Sequence, residues 1–283
     1  LPKMSEVVNR KSAMATRIFQ TKAKVIKNIE VIKNYYKIVV LCPRIAAIAQ
    51  PGQFLQVRVK DDCEPLLRRP FGIHRVNGAS SIEMLFEVVG QGTEILAQRK
   101  TGEYLDIIGP LGNGFDYGRA CGLPRTGLLV AGGMGIAPLA FLAEKLVAHK
   151  TKGAPDKKIL VLIGARTKKQ LLCEGELKKL GCEVKVATDD GSKGFKGRVT
   201  GLLCGLLPAI DRRLLTIYAC GPRPMLRELA RLAQKYNLPA QVSLEEHLAC
   251  GIGACLGCVV KTTDGYKRVC KEGPVFQARE TAF

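Results

Sequence analysis

Residues 127–143 read GLLVAGGMGIAPLAFLA, seventeen positions without a charge. Whether they form a membrane span or a buried strand, turn and helix decides what kind of molecule the chain makes. Seventeen apolar residues stand at the short edge of what crosses a bilayer. Gly132, Gly133 and Gly135 cluster in the middle, and Pro138 follows. The run therefore reads as a strand (GLLVAGG), a glycine turn and a helix from Ile136, with the proline in its first turn, where no amide is needed.

Towards the C-terminus the same alternation repeats. The strands ILVLIGA, EVKVATDD, LLTIYACG and AQVSLEE are separated by the helical stretches KKQLLCEGELKKLG, VTGLLCGLL and PMLRELARLAQKYN. Strand alternating with helix predicts a doubly wound parallel sheet. Towards the N-terminus the period changes to short, β-branched runs: KVIKNIEVIKN, YYKIVVLCP, GQFLQVRVK, FGIHRV, SIEMLFEVVG and YLDIIGPLG. Pro-Gly, Asn-Gly and Gly-Pro turns punctuate them, which predicts an antiparallel β-barrel. One helix interrupts it, TEILAQRK, with Thr93 read as its N-cap. The expected organisation is a basic leader over 1–20, the barrel over 21–122, the α/β domain over 123–240 and a small module over 241–283. The last is too short for a core of its own and needs a staple.

Composition narrows the classes. Apolar residues make up 47% and charged residues 24%, as in folded globular proteins. The formal charge of +19 is spread along the chain, with ten Lys/Arg against two Asp/Glu in the first 44 residues. Aromatics are only 6%, Trp is absent, and no nucleic-acid reading motif appears, so the charge is taken as solvated surface. No secretory signal or membrane span is visible. Eleven cysteines without a signal predict a reducing, cytoplasmic setting.

Seven of the cysteines are scattered singly and read as small core residues. The other four are grouped: Cys250, Cys255 and Cys258 give C-x4-C-x2-C, and Cys270 follows after eleven residues. That run has the spacing of [2Fe–2S] loops of the plant type, which bind through four thiolates. Gly251, Gly253 and Gly257 let a backbone wrap closely and aim amides at sulfur. Structural zinc and a redox thiol pair are the alternatives. Zinc ribbons usually carry two C-x2-C knuckles where this chain has one, and a thiol pair leaves Cys250 and Cys270 without a role. A cluster moves one electron at a time, so a two-electron cofactor is expected elsewhere.

Two further signals supply one. Arg69-Pro70-Phe71-Gly72 ends a barrel strand with a guanidinium that can meet a pyrophosphate, and Gly90 to Thr93 open the barrel helix with free amides. Surface charge and a plain capped helix are the bland readings; together the two describe an FAD pyrophosphate site. In the α/β part, Gly132, Gly133 and Gly135 stand where a dinucleotide approaches a helix start. They lack the G-x-G-x-x-G pattern, and a tight strand–helix turn is the alternative. Cys220-Gly221-Pro222 lies at a strand's C-terminal end, where such sheets place ligands.

With LLRRPFGI (66–73), GQGTEIL (90–96), IIGPLGNGF (107–115), YACGPRPM (218–225), SLEEHLACGIGACLGC (243–258) and YKRVCKEGPVF (266–276), the chain resembles the ferredoxin–NAD(P) reductase superfamily. Within it, the chain is most similar to the family of dihydroorotate dehydrogenase B electron-transfer subunits. The resemblance runs from about Lys22 to Phe276. It implies FAD, a [2Fe–2S] cluster and NAD as cofactors. It also implies an FMN-containing catalytic partner, in a heterotetramer of two copies each, serving pyrimidine biosynthesis. Electrons would pass from dihydroorotate through the partner's FMN, the cluster and FAD to NAD+. By position it implies FAD contacts at Arg69, Pro70, Phe71 and Gly72, at Leu85, Phe86 and Glu87, and at Gly92 and Thr93. It implies nucleotide contacts at Gly132, Gly133 and Gly135, a catalytic Cys220 beside the nicotinamide, and cluster ligands Cys250, Cys255, Cys258 and Cys270. The family usually carries Ser or Thr where this chain has Gly72. A flavin/iron–sulfur subunit of a hydrogenase or of a ferredoxin-dependent transhydrogenase is the alternative.

Overall fold

The computed structural model describes residues 17–62, 64–118, 126–148, 159–211 and 215–283. The expected leader lies outside the described residues as far as residue 16, and the first strand already begins at Phe19. Among the described residues no helix is long and apolar enough to cross a membrane.

The first half holds β1 (Phe19–Ile32), β2 (Tyr35–Leu41), β3 (Phe54–Arg58), β4 (Arg69–Gly72), β5 (Arg75–Asn77), β6 (Ser81–Glu87) and β7 (Tyr104–Leu111). Two short helices join them, α1 (Pro43–Ala46) and α2 (Gln91–Ala97). The strands form one antiparallel sheet in the order β4-β3-β7-β1-β2-β6-β5. Its two ends meet at adjacent residues. The Ile73 amide donates to the Gln53 carbonyl before β3 (3.0 Å), while the His74 amide donates to the Glu83 carbonyl in β6 (2.9 Å). The sheet thereby curls into a barrel around Val25, Ile38, Leu55, Val57, Ile82, Met84 and Ile107. Alternation produces this core: Leu55 and Val57 point inward, while Phe54 and Gln56 take the opposite face of β3.

The second half contributes β8 (Thr126–Gly132), α3 (Ile136–Ala148), β9 (Leu160–Ala165), α4 (Glu174–Lys179), β10 (Glu183–Thr188), β11 (Phe195–Lys196), α5 (Val199–Leu206), β12 (Leu215–Cys220), α6 (Arg223–Lys235) and β13 (Ala240–Ser243). The opening stretch of the sequence is thus a strand, a glycine turn and a helix, with Pro138 in the first turn of α3. The strands run parallel in the order β11-β10-β9-β8-β12-β13. Helix α6 keeps Leu226, Leu229, Leu232 and Ala233 buried at helical spacing, with its arginines outside.

The tail forms a hairpin, β14 (Val259–Thr262) with β15 (Gly265–Arg268), and then β16 (Val275–Gln277). β16 returns to the large sheet and pairs antiparallel with β13, Ser243 standing opposite Val275. A boundary at 241 falls inside β13, which pairs with β12 on one side and with β16 on the other. The cysteine-bearing residues are an excursion from this sheet. They dock on the barrel through Asn113, whose amide donates to the Gly273 carbonyl (2.6 Å) and whose side chain donates to the carbonyls of Lys271 and Glu272. Phe54 and Leu111 pack beneath them against Cys258, Val269 and Cys270.

Candidate functional site

Three cradles line the seam between barrel, parallel sheet and tail. In the first, the Arg69 side chain crosses the start of α2. A Cβ on Gly92 would lie 2.7 Å from Nε and 3.2 Å from Cγ, so glycine is what lets the guanidinium lie there. The expected capping role of Thr93 is corrected: Gly90 is the cap, and Thr93 sits three residues inside the helix. Its hydroxyl accepts the amides of Val89 (2.9 Å) and Gly90 (3.2 Å), fixing the loop from within. Phe71 and Phe86 meet edge to face at 5.6 Å inside the barrel core. Leu85 packs towards the α/β half, and Glu87 accepts the Tyr35 hydroxyl at 3.0 Å. Pro70 is exposed beside them. Gly72 faces Pro138, where a Cβ would find ordinary contact at 3.9 Å. The absent hydroxyl is therefore not enforced by crowding.

The second cradle lies where the parallel order reverses, between β8 and β12. Gly132, Gly133 and Gly135 leave β8, and Cys220 ends β12 alongside. A Cβ on Gly135 would fall 2.1 Å from the Cys220 carbonyl oxygen, so only glycine allows the two loops to touch. Gly133 has φ +53° and open space around its Cα. Cys220 is 1% exposed, and its Sγ stands 3.9 Å from Glu245 Oε1. Burial, and then the Glu245 carboxyl, push the thiol well above its usual range. Burial also raises Glu245. The thiol is thereby kept protonated, a weakly polar wall rather than a nucleophile. Arg166 is exposed just past β9.

The third is the cysteine loop. Gly251, Gly253 and Leu256 take positive φ (72°, 85° and 58°), which curls the backbone and turns its amides onto sulfur. The Cys255 amide points at Cys250 Sγ, the Gly257 amide at Cys255 Sγ and the Cys270 amide at Cys258 Sγ, each at 3.4 Å. The hairpin explains the spacer of eleven: it brings Cys270 back beside Cys258, whose carbonyl accepts the Val269 amide. Arg268 braces the loop, donating to the Gly253 carbonyl (2.8 Å) and pairing with Glu272. Burial raises the Cys250 thiol, but the amides of Cys255, Ile252 and Ala254 outweigh it and bring it down to about 6. Burial and the neighbouring Cys258 push Cys270 up to about 12. Four thiols with amides trained on them fit a cluster whose sulfurs accept hydrogen bonds. A four-thiolate zinc, with Zn–S about 2.3 Å, would draw its sulfurs to within about 4 Å of one another. Among the described residues the one trio of potential ligands within 4.8 Å is elsewhere.

That trio is His74, Cys173 and Glu176, at the seam between barrel and α4. Lys37 Nζ already stands 2.5 Å from Glu176 and 3.5 Å from Glu83, so the trio's carboxylate is already paired with an ammonium. Arg75 bridges Glu144 of α3 and Glu176 of α4. Buried His74 donates Nδ1–H to the Ala137 carbonyl at 2.8 Å, which ties the barrel closure to the first turn of α3. Sequence reasoning missed this network because its members lie far apart in the chain and none sits in a recognisable motif. It also missed Gln56, a buried amide with no signal beyond a polar residue in an apolar strand.

Residues 245–282 match the model of the iron-sulfur cluster binding domain of dihydroorotate dehydrogenase B, and residues 129–231 match the oxidoreductase NAD-binding domain. A dihydroorotate dehydrogenase B (NAD(+)) electron transfer subunit from Desulforamulus reducens is 42% identical over 90% of this chain and 95% of its own length. One from Bacillus caldolyticus is 40% identical over 83% and 88%. Among solved structures, an NADH-dependent reduced ferredoxin-NADP oxidoreductase superposes with a TM-score of 0.79, at 28% identity over 93% of this chain and 90% of that one. The Neisseria gonorrhoeae ferredoxin NADP+ reductase, at 14% identity and TM-score 0.65, shares the fold.

Proposed function

Because the chain belongs to the family of dihydroorotate dehydrogenase B electron transfer subunits, we propose that its three cradles form one relay between a catalytic partner subunit and NAD. The protein is an oxidoreductase subunit using FAD, a [2Fe–2S] cluster and NAD, and the dihydroorotate site belongs to the partner. When bound, FAD supplies the exchange between single electrons on the cluster side and hydride on the NAD side.

The chain's own residues hold that arrangement. Arg69 and the amides opening α2 neutralise the FAD pyrophosphate; Gly72, Leu85 and Glu87 shape the wall against which the flavin lies. Phe71 and Phe86 act from inside the barrel by fixing these strands. Gly132, Gly133 and Gly135 let the nucleotide pyrophosphate reach the start of α3, and the neutral Cys220 thiol borders the nicotinamide without competing for the hydride. Cys250, Cys255, Cys258 and Cys270 ligate the iron. The exposed side chains of Ile252 and Leu256 stand on either side of exposed Cys255 in the loop sequence and suit an apolar contact with the partner subunit. We place the protein in the cytoplasm, in a heterotetramer with the FMN-bearing partner serving pyrimidine biosynthesis.

The observation that carries this reading is the convergence of backbone amides on the thiols of a C-x4-C-x2-C loop docked on a flavin-type barrel. Anaerobically reconstituted protein should contain flavin, iron and acid-labile sulfide, bleach with NADH, and leave dihydroorotate untouched until the partner is added. Dihydroorotate oxidation by the isolated chain, or colourless iron-free protein, refutes it. The likeness to the ferredoxin-NADP oxidoreductase favours a second reading, a ferredoxin-linked transhydrogenase subunit. Affinity capture of the partner separates the two.

A further inference from the structure

Gln56 is 0% exposed, and neither Nε2 nor Oε1 has a hydrogen-bond partner. Leaving a buried amide unmatched costs about 1–3 kcal/mol per group, whereas an apolar side chain of the same length would cost nothing. The position therefore needs a polar neighbour beyond the polypeptide. Two neighbours say where that lies. Gly251, next to Cys250, sits directly on the amide: a Cβ there would be 2.5 Å from Gln56 Cγ and 2.7 Å from Nε2. In the barrel, Gln56 stands opposite Pro70, between Arg69 and Phe71 on β4. Strand alternation sends the side chain out of the barrel on the face of Phe54, which packs against Cys258 and Cys270. One amide thus lies under the cysteine loop and beside the flavin strand.

We infer that Gln56 is a positioning residue for the electron relay: its Nε2 donates a hydrogen bond to sulfur on the Cys250 side of the cluster and stabilises the reduced, more negative form. The inference rests on the cluster reading above. Gly251 serves it directly, because any side chain there would displace the amide.

The test uses the reconstituted full chain in complex with its partner, comparing wild type with Gln56→Met, which keeps the length and removes both polar atoms, and Gln56→Glu, which keeps the shape and exchanges the donor for a carboxylate. EPR-monitored titration should show the cluster's reduction equilibrium falling about tenfold in Gln56→Met, equivalent to about 59 mV for one electron. The fall should be larger in Gln56→Glu, with flavin and iron contents unchanged. An unchanged cluster potential and EPR spectrum in fully loaded Gln56→Met overturns the inference. Should the variants fail to load iron, pulsed EPR on wild type grown with side-chain 15N-glutamine decides: a nitrogen coupling to the reduced cluster is expected, and its absence overturns the proposal. If wild type itself gives no [2Fe–2S] signal, the cluster reading fails first, and the inference falls with it.

Discussion

The contact between Gly135 and Cys220 permits a worked prediction. In Gly135→Ala the new Cβ would stand 2.1 Å from the Cys220 carbonyl oxygen, 2.3 Å from its carbon and 2.7 Å from the Gly221 nitrogen. All three are backbone atoms at the end of a fully buried strand, so no side-chain rotation relieves the overlap. Ordinary contact begins at 3.4 Å, so the two loops must part by about 1.3 Å. The loops that part are those proposed to seat the nicotinamide nucleotide. A misplacement of about 1 Å costs reacting groups on the order of a hundredfold, or about 2.7 kcal/mol in the barrier to hydride transfer. Gly78→Ala, in the turn between β5 and β6, is the control. Its φ of +56° imposes about 1–2 kcal/mol of backbone strain, but a Cβ there meets nothing within 4 Å. Flavin bleaching by saturating NADH should be followed anaerobically by stopped flow. It should slow by about two orders of magnitude in Gly135→Ala and less than about threefold in Gly78→Ala, with reduction by dithionite equal in both. Gly135→Ala, fully loaded, bleaching at the wild-type rate refutes the placement of the nucleotide.

Other expectations follow from the same geometry. Arg69→Ala should weaken FAD binding about ten- to a hundredfold by calorimetry, since charged hydrogen bonds contribute about 1.5–3 kcal/mol; unchanged affinity would remove Arg69 from the site. Cys258→Ser should abolish the cluster's visible circular dichroism while leaving flavin content intact, and a full iron complement would exclude Cys258 as a ligand. Burial, aided by Lys37 and Arg75, lowers the His74 pKa, opposed by the Ala137 carbonyl and Glu83. The folded state therefore prefers neutral imidazole: its contribution is complete above the ordinary value near 6.5 and is lost as pH falls below it. Between pH 7.5 and 5.5 the wild type should lose more stability than His74→Gln in denaturant titrations. Equal losses would show that His74 protonates freely.

The parallel half was legible because its signals are local. The run 127–143 carries its own strand, turn and helix, and α6 shows its buried stripe in the spacing of its leucines. The cysteine loop was legible for the same reason, since sulfur ligands and small residues stand side by side in the sequence. What could not be read is decided across distance. Thr93 resembles a cap, yet its hydroxyl is consumed by Val89 and Gly90 within the helix start. Phe71 and Phe86 lie in flavin-type segments but turn into the barrel, because strand alternation and not motif membership sets the facing of a side chain. The Lys37–Glu176 pair joins residues 139 apart in sequence, and β16 pairs with a strand more than thirty positions earlier.

The pairing of Ser243 with Val275 bears on how the iron is loaded and lost. The whole thiol-bearing excursion starts and finishes at neighbouring residues of one ladder, so the entropy of bringing its ends together is already met by the sheet, whether or not metal is present. Losing iron would slacken a tethered loop and leave both halves of the molecule standing. Reassembly would then be an internal search by four thiols at high effective concentration, with a cost that grows only logarithmically with the length of the loop.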